Sequence, residues 1–100
     1  MALMAIFEQE FTLGDQSFTF RVPSAKDMIL MDQEALALRK GESEGLSSAI
    51  VYSQSIAFLN RIVVKPEKTD FGDLPAHVVD ALSNEVAKWL QTFRTDVAGK

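Results

Sequence analysis

The chain has 100 residues, of which 47% are hydrophobic and 24% charged, the proportions of a single folded domain and not of a disordered segment. Ten Lys and Arg against fourteen Asp and Glu leave a formal charge of −4, which repels a phosphate backbone and makes nucleic acid a poor partner. With no cysteine, disulfides, thiolate metal sites and thiol nucleophiles are excluded.

The opening stretch, Met1 to Phe7, is apolar but has no Lys or Arg before it and meets Glu8 and Glu10 at once. It falls short of the roughly 20 apolar residues of a membrane span, so neither a signal peptide nor a membrane anchor is expected. Residues 5–22 read as a β-hairpin. Phe7, Phe11 and Leu13 share one face, interrupted by Gln9, and Phe18, Phe20 and Val22 continue it on the second arm, with Gly14-Asp15-Gln16 as the turn. So much apolar surface on two strands needs a cover, because an isolated hairpin is marginal in water.

Ser24 is a good N-cap for a helix over about 25–39, and Asp27 places negative charge beside its first turn. Met28, Met31, Ala35 and Leu38 form its stripe, and Gly41 is the expected C′ residue. An acidic loop, Gly41 to Gly45, leads to a second helix over about 46–62 that is apolar on nearly all sides. Tyr52, Ile56, Leu59 and Val63 align along one of those sides, while Val51, Phe58 and Ile62 fall between stripes. Such a helix is either the centre of the fold or leaves one face for a partner.

Pro66 disfavours helical geometry at Lys65 and ends the element before it. Phe71 is expected to tuck back as an anchor. The last helix, about 74–93, has the plainest pattern in the chain: Val78, Val79, Leu82, Val86, Trp89, Leu90 and Phe93 recur at helical spacing, with Asp73 as cap and Pro75 at the first helical position. Beyond Phe93 the pattern is lost and the tail is expected to fray. The fold expected is a single α+β domain, mostly helical, with an N-terminal β-hairpin packed on three helices.

Chemistry is sparse. His77 has Asp73 and Asp80 at helical distance, but it stands on a polar face as the only histidine, so a solvated helix surface explains it. The serines lack the context of a nucleophile elbow, and the isolated glycines make no phosphate-cradling loop. Arg61, Lys65 and Lys68 are diluted by Glu67 and Asp70 and have no aromatic platform for nucleic acid. No catalytic residue, metal or cofactor is expected, and the chain reads as a non-enzyme. Met28 and Met31 on one helical face suit either a core or an adaptable binding surface.

The run Phe18-Thr-Phe-Arg-Val-Pro-Ser24, a helix closing near Gly41, a middle helix, and a final Asp73-Leu-Pro…Glu85-Val-Ala-Lys-Trp89-Leu…Phe93-Arg94 together resemble the tail assembly chaperones of long-tailed bacteriophages. The resemblance spans about Phe11 to Arg94 and implies no catalytic residues. It implies a chaperone, in the host bacterial cytoplasm and not in the mature virion, that coats the long apolar helical tape measure protein in several copies. In that family a longer form, made by translational frameshifting, recruits tail tube subunits. Homo-oligomerisation is a further expectation, and neither nucleic acid nor membrane is an expected partner.

The residues expected to make contact are Tyr52, Ile56, Leu59 and Val63 on the middle helix, with core packing as the alternative for each. Phe7 and Phe11 are second candidates, since the first strand can be a sheet edge open to pairing. Two other classes remain: a small structural tail component or connector subunit, and a small acidic regulatory binding module.

Overall fold

The computed structural model describes residues 7–40 and 47–98, with side chains to residue 93. Strands β1 (Glu8–Leu13) and β2 (Gln16–Arg21) form the hairpin, followed by α1 (Ala25–Leu38), α2 (Ser47–Ile62), β3 (Val63–Lys65), a 3-10 turn (Phe71–Asp73) and α3 (Ala76–Ala98). The protein is an α+β fold in which an antiparallel sheet of order β1-β2-β3 packs with three helices. Among the described residues no helix is long and apolar enough to cross a membrane. The acidic loop and its Gly41 lie outside the described residues.

Hairpin register follows from the alternation. Phe11 sits opposite Phe18 and Gln9 opposite Phe20, so the apolar residues of both strands share one face. Gly14 takes a φ of 62°, which a side-chain-bearing residue adopts at a cost, and this lets Leu13 and Gln16 pair directly across the turn. The third strand takes Val63 out of the helical stripe expected of it. Helix α2 passes straight into β3, because a β-branched pair before Pro66 favours extended backbone, and Val63 then pairs with Phe20.

Phe18, Phe20, Leu59, Ile62, Phe71, Val79, Leu82 and Val86 are buried together. Around them runs a chain of rings. Phe7 stacks on Phe93, Phe93 meets Trp89, Trp89 meets Phe11, and Phe11 leads through Phe20 to Phe18 and Phe71, with neighbouring centroids 5.6–6.4 Å apart. This chain ties the sheet to α3. Phe71 does tuck back: its N–H donates to Asn60 Oδ1 at 2.7 Å, and Asp70 Oδ1 accepts from both Asn60 Nδ2 and the Gly72 N–H.

That turn changes the start of α3. Asp73 belongs to the 3-10 turn, with its N–H on the Asp70 carbonyl, and the helix opens instead on the Pro75 carbonyl, which accepts from Val78 and Val79. The helix also continues past Phe93 to Ala98. Helix α1 stops one residue early; Lys40, not a glycine, takes the left-handed conformation with φ 57°.

Asp27 does more than favour a helix dipole. It completes a capping box with Ser24: its N–H donates to Ser24 Oγ at 3.1 Å, while its Oδ2 accepts the Ser24 N–H at 2.7 Å. The same carboxylate accepts from Arg21 on β2 at 2.6 and 3.1 Å and from Arg61 Nε on α2 at 3.1 Å. Arg21 also donates to the Arg61 carbonyl, and Arg61 reaches Glu34 at 3.2 Å. Asp27 is only 5% exposed, so its charge needs these partners. Arg21 most of all, then the Ser24 N–H and Arg61, hold its carboxyl well below the usual carboxylate range despite its burial.

Replacing Asp27 by Asn is expected to lower stability at neutral pH by about 2 kcal/mol. That is less than for a fully buried pair, because the two arginine side chains keep 37% and 33% of their surface in water. An unfolded Asp ionises near pH 3.9, above the folded carboxyl, so the stabilisation is complete above about that pH and is lost as the pH falls below it. Urea midpoints of wild type and Asp27→Asn should therefore converge on acidification. A gap that stays constant into acid would show that the carboxylate is not the stabilising species.

Candidate partner-binding groove

Helix α2 has neighbours on two of its sides. On one, the small residues Ser53 and Ala57 are buried against α1, where Ala35 is likewise buried, and Arg39 donates to Ser53 Oγ at 2.7 Å. On another, Leu59 and Ile62 enter the core with the sheet and α3. Helices α1 and α3 each pack on α2 and scarcely on one another. A third side of α2, the stripe of Val51, Ser55 and Phe58, is left between them.

The resulting groove has a cavity of about 330 Å³ walled by Met28 and Met31 of α1, floored by Gln54, Ser55 and Phe58 of α2, and closed on the far side by Ser83 and Ala87 of α3. It shares Phe58 and Ala87 with a second cavity of about 290 Å³ that ends at Leu90 and Gln91. None of these lining residues is charged. Met28 is 44% and Val51 55% exposed, and on the outer face of α1 Ile29, 62% exposed, and Leu36 extend the apolar surface one helical repeat apart. The hydroxyl of Ser83 is buried in the groove wall and has no hydrogen-bond partner among the described residues.

The middle-helix residues expected to face a partner lie elsewhere. Leu59 is fully buried in the core, which removes it from any contact surface. Ile56 is half-buried on that core, with its Cγ2 close to Gly72. Val63 is not on the helix at all but in β3. Tyr52 is half-buried against the core and its hydroxyl donates to Asp80 Oδ2 at 2.9 Å, joining α2 to α3. The wheel of α2 was apolar on so many sides that spacing alone could not say which side lay open. The polar neighbours Gln54 and Ser55 beside Phe58 are the signal that marks it.

The second candidates stand at the sheet edge. Phe11 is half-buried between Phe20 and Trp89, and Phe7 is exposed but stacked on Phe93. His77 is exposed, and Asp80 serves Tyr52; among the described residues no three His, Asp or Glu side chains gather as a metal would require.

Tyr52 is the only tyrosine, so absorbance at alkaline pH reads it alone. Its hydrogen bond to Asp80, and the carboxylate charge beside it, raise its pKa above the ordinary tyrosine range. Asp80→Asn should return the titration toward the usual value; an unshifted midpoint would disprove the contact. Ser83→Ala removes an unpartnered hydroxyl from a helix wall and should leave stability unchanged or raise it by up to about 1 kcal/mol. A clear loss in thermal midpoint would mean that the hydroxyl is bonded.

Comparison with protein-family models, with curated proteins and with solved structures finds no match to this chain.

Proposed function

We propose that this protein is a tail assembly chaperone of a long-tailed bacteriophage, acting without catalysis in the bacterial cytoplasm to hold a tape measure protein soluble until tube subunits enclose it. The order of elements and the Val22-Pro23-Ser24 and Trp89…Phe93 segments carry the likeness. The observation that supports a binding role is the open, uncharged groove between α1 and α3. A two-methionine wall and an aromatic floor suit an apolar helix whose residues vary along its length, because thioether side chains repack at little cost. A client of many similar apolar turns needs that tolerance more than it needs specificity.

A client-binding role also accounts for one small domain exposing Ile29, Leu36 and Val51 beside the groove. Its net charge of −4 keeps free copies apart, while the apolar face meets a client that offers matching surface.

The test is co-expression of the chain with the neighbouring genes, affinity capture, and mass spectrometry with light scattering of the eluate. Recovery of a long helical tail protein bearing several copies of this chain is expected. Ala87→Glu places a charge in the groove at an exposed position, so the variant should keep its circular dichroism spectrum and lose at least about tenfold in capture. Capture unaffected by Ala87→Glu would move the contact off the groove. Recovery of the protein from purified virions would favour a structural tail subunit instead.

A further inference from the structure

The sheet has an edge whose geometry specifies a ligand distinct from that of the groove. Strand β1 is the outer strand, and among the described residues β2 is its only paired neighbour. The Val22 N–H donates to the Phe7 carbonyl at 2.8 Å, which makes Phe7 and Val22 a hydrogen-bonded pair. In an antiparallel ladder such pairs alternate, so Gln9, Phe11 and Leu13 turn their backbone groups inward to β2. Glu8, Glu10 and Thr12 then turn theirs outward, where no described strand pairs with them; the Glu10 carbonyl accepts a long, exposed hydrogen bond from the neighbouring Gln9 Nε2 at 3.3 Å, which an incoming strand can displace.

Side chains set the chemistry of that strand. Glu8 and Glu10 are exposed on one face, and β1 contains no Lys or Arg. The other face carries Phe7, 44% exposed, and the half-buried Phe11 and Leu13. A strand laid alongside therefore meets two carboxylates on one face and aromatic and aliphatic surface on the other. A second copy of β1 fits poorly. Two-fold pairing centred on Glu10 sets Glu10 against itself, and pairing centred on Gln9 sets Glu8 against Glu10; like charges directly opposite are destabilising. Centring on Phe11 runs Glu8 onto Gly14 of the turn and leaves Glu10 and Thr12 as the only residues whose outward backbone groups can pair across the axis.

We propose that the outer edge of β1 binds an extended partner segment in which basic residues alternate with apolar ones. The basic residues face Glu8 and Glu10, the apolar ones continue the surface of Phe7, Phe11 and Leu13, and the backbone joins the outward groups of Glu8, Glu10 and Thr12. The site uses no residue of the groove, so it stands or falls separately from the function proposed above.

The probe is a short synthetic peptide alternating Lys and Val, with a peptide of the same composition in separate Lys and Val blocks and a Glu-Val alternating peptide as controls. Binding is followed by calorimetry and by amide hydrogen exchange. The alternating Lys-Val peptide should bind and slow exchange about tenfold or more at the Glu8, Glu10 and Thr12 amides, leaving Gln9, Phe11 and Leu13 unchanged. In Glu10→Pro the lost N–H is not one the hairpin uses and proline is tolerated on edge strands, so the variant should fold and lose about tenfold in affinity. Glu10→Gln should weaken binding less and reduce its salt dependence. Absence of binding, equal binding of either control peptide, unchanged exchange at the three outward amides, or full affinity in a folded Glu10→Pro would each overturn the proposal.

Discussion

The arrangement depends on one buried carboxylate. Asp27 begins as a local device, the third helical residue closing a capping box on Ser24, and by the same atoms it binds a guanidinium from the strand before it and another from the helix after it. Burying that charge is unfavourable until all three elements are in place, so it penalises any arrangement in which β2, α1 and α2 do not meet at this corner. Local capping and global topology are thus satisfied together, and the consistency is what selects one packing of α1 on α2.

The groove follows from how the three helices are tied. Helix α1 is held on α2 by polar groups and small residues: Asp27, Arg61, Glu34 and Arg39 at its ends and edges, and Ala35, Ser53 and Ala57 along the seam. Helix α3 is held to the sheet by Phe7, Phe11, Trp89 and Phe93, and to α2 by Tyr52 and the buried Val79, Leu82 and Val86. These attachments sit on opposite sides of α2, and among the described residues α1 and α3 scarcely touch. Phe58, the one phenylalanine outside the ring chain, is left on the floor between them. The opening is a product of the core's layout and not a packing defect in it.

What could be read from sequence divides along physical lines. Features set by local periodicity or capping were legible: the hairpin and its face, the Ser24 cap, the apolar stripe of α3, Phe71 as an anchor. Features set by a distant partner were not. Val63 fits a helical stripe in isolation; β-branching and Pro66 permit extended backbone there, and pairing with the edge of β2 makes it a strand. Asp73 looks like a cap until Asp70, held by Asn60 from another helix, takes that part for the preceding turn. Asp27 and Arg61 lie 34 positions apart, so their pairing leaves no periodic trace. The open side of α2 was hidden for the same reason: which apolar side of a wholly apolar helix stays open is decided by its neighbours.

The two open surfaces differ in the kind of recognition they permit. The groove is lined by uncharged side chains, so a helix proposed to lie in it would be recognised by apolar packing with little discrimination among sequences. The β1 edge offers backbone groups at fixed spacing and two carboxylates, so it discriminates by strand register and charge. A helix cannot satisfy the edge, because its own backbone groups are already paired, and an isolated strand cannot fill the groove without leaving half of its backbone groups unpaired against Phe58 and the methionines. On the two proposals taken together, a helical client and an extended partner would not compete for the same atoms.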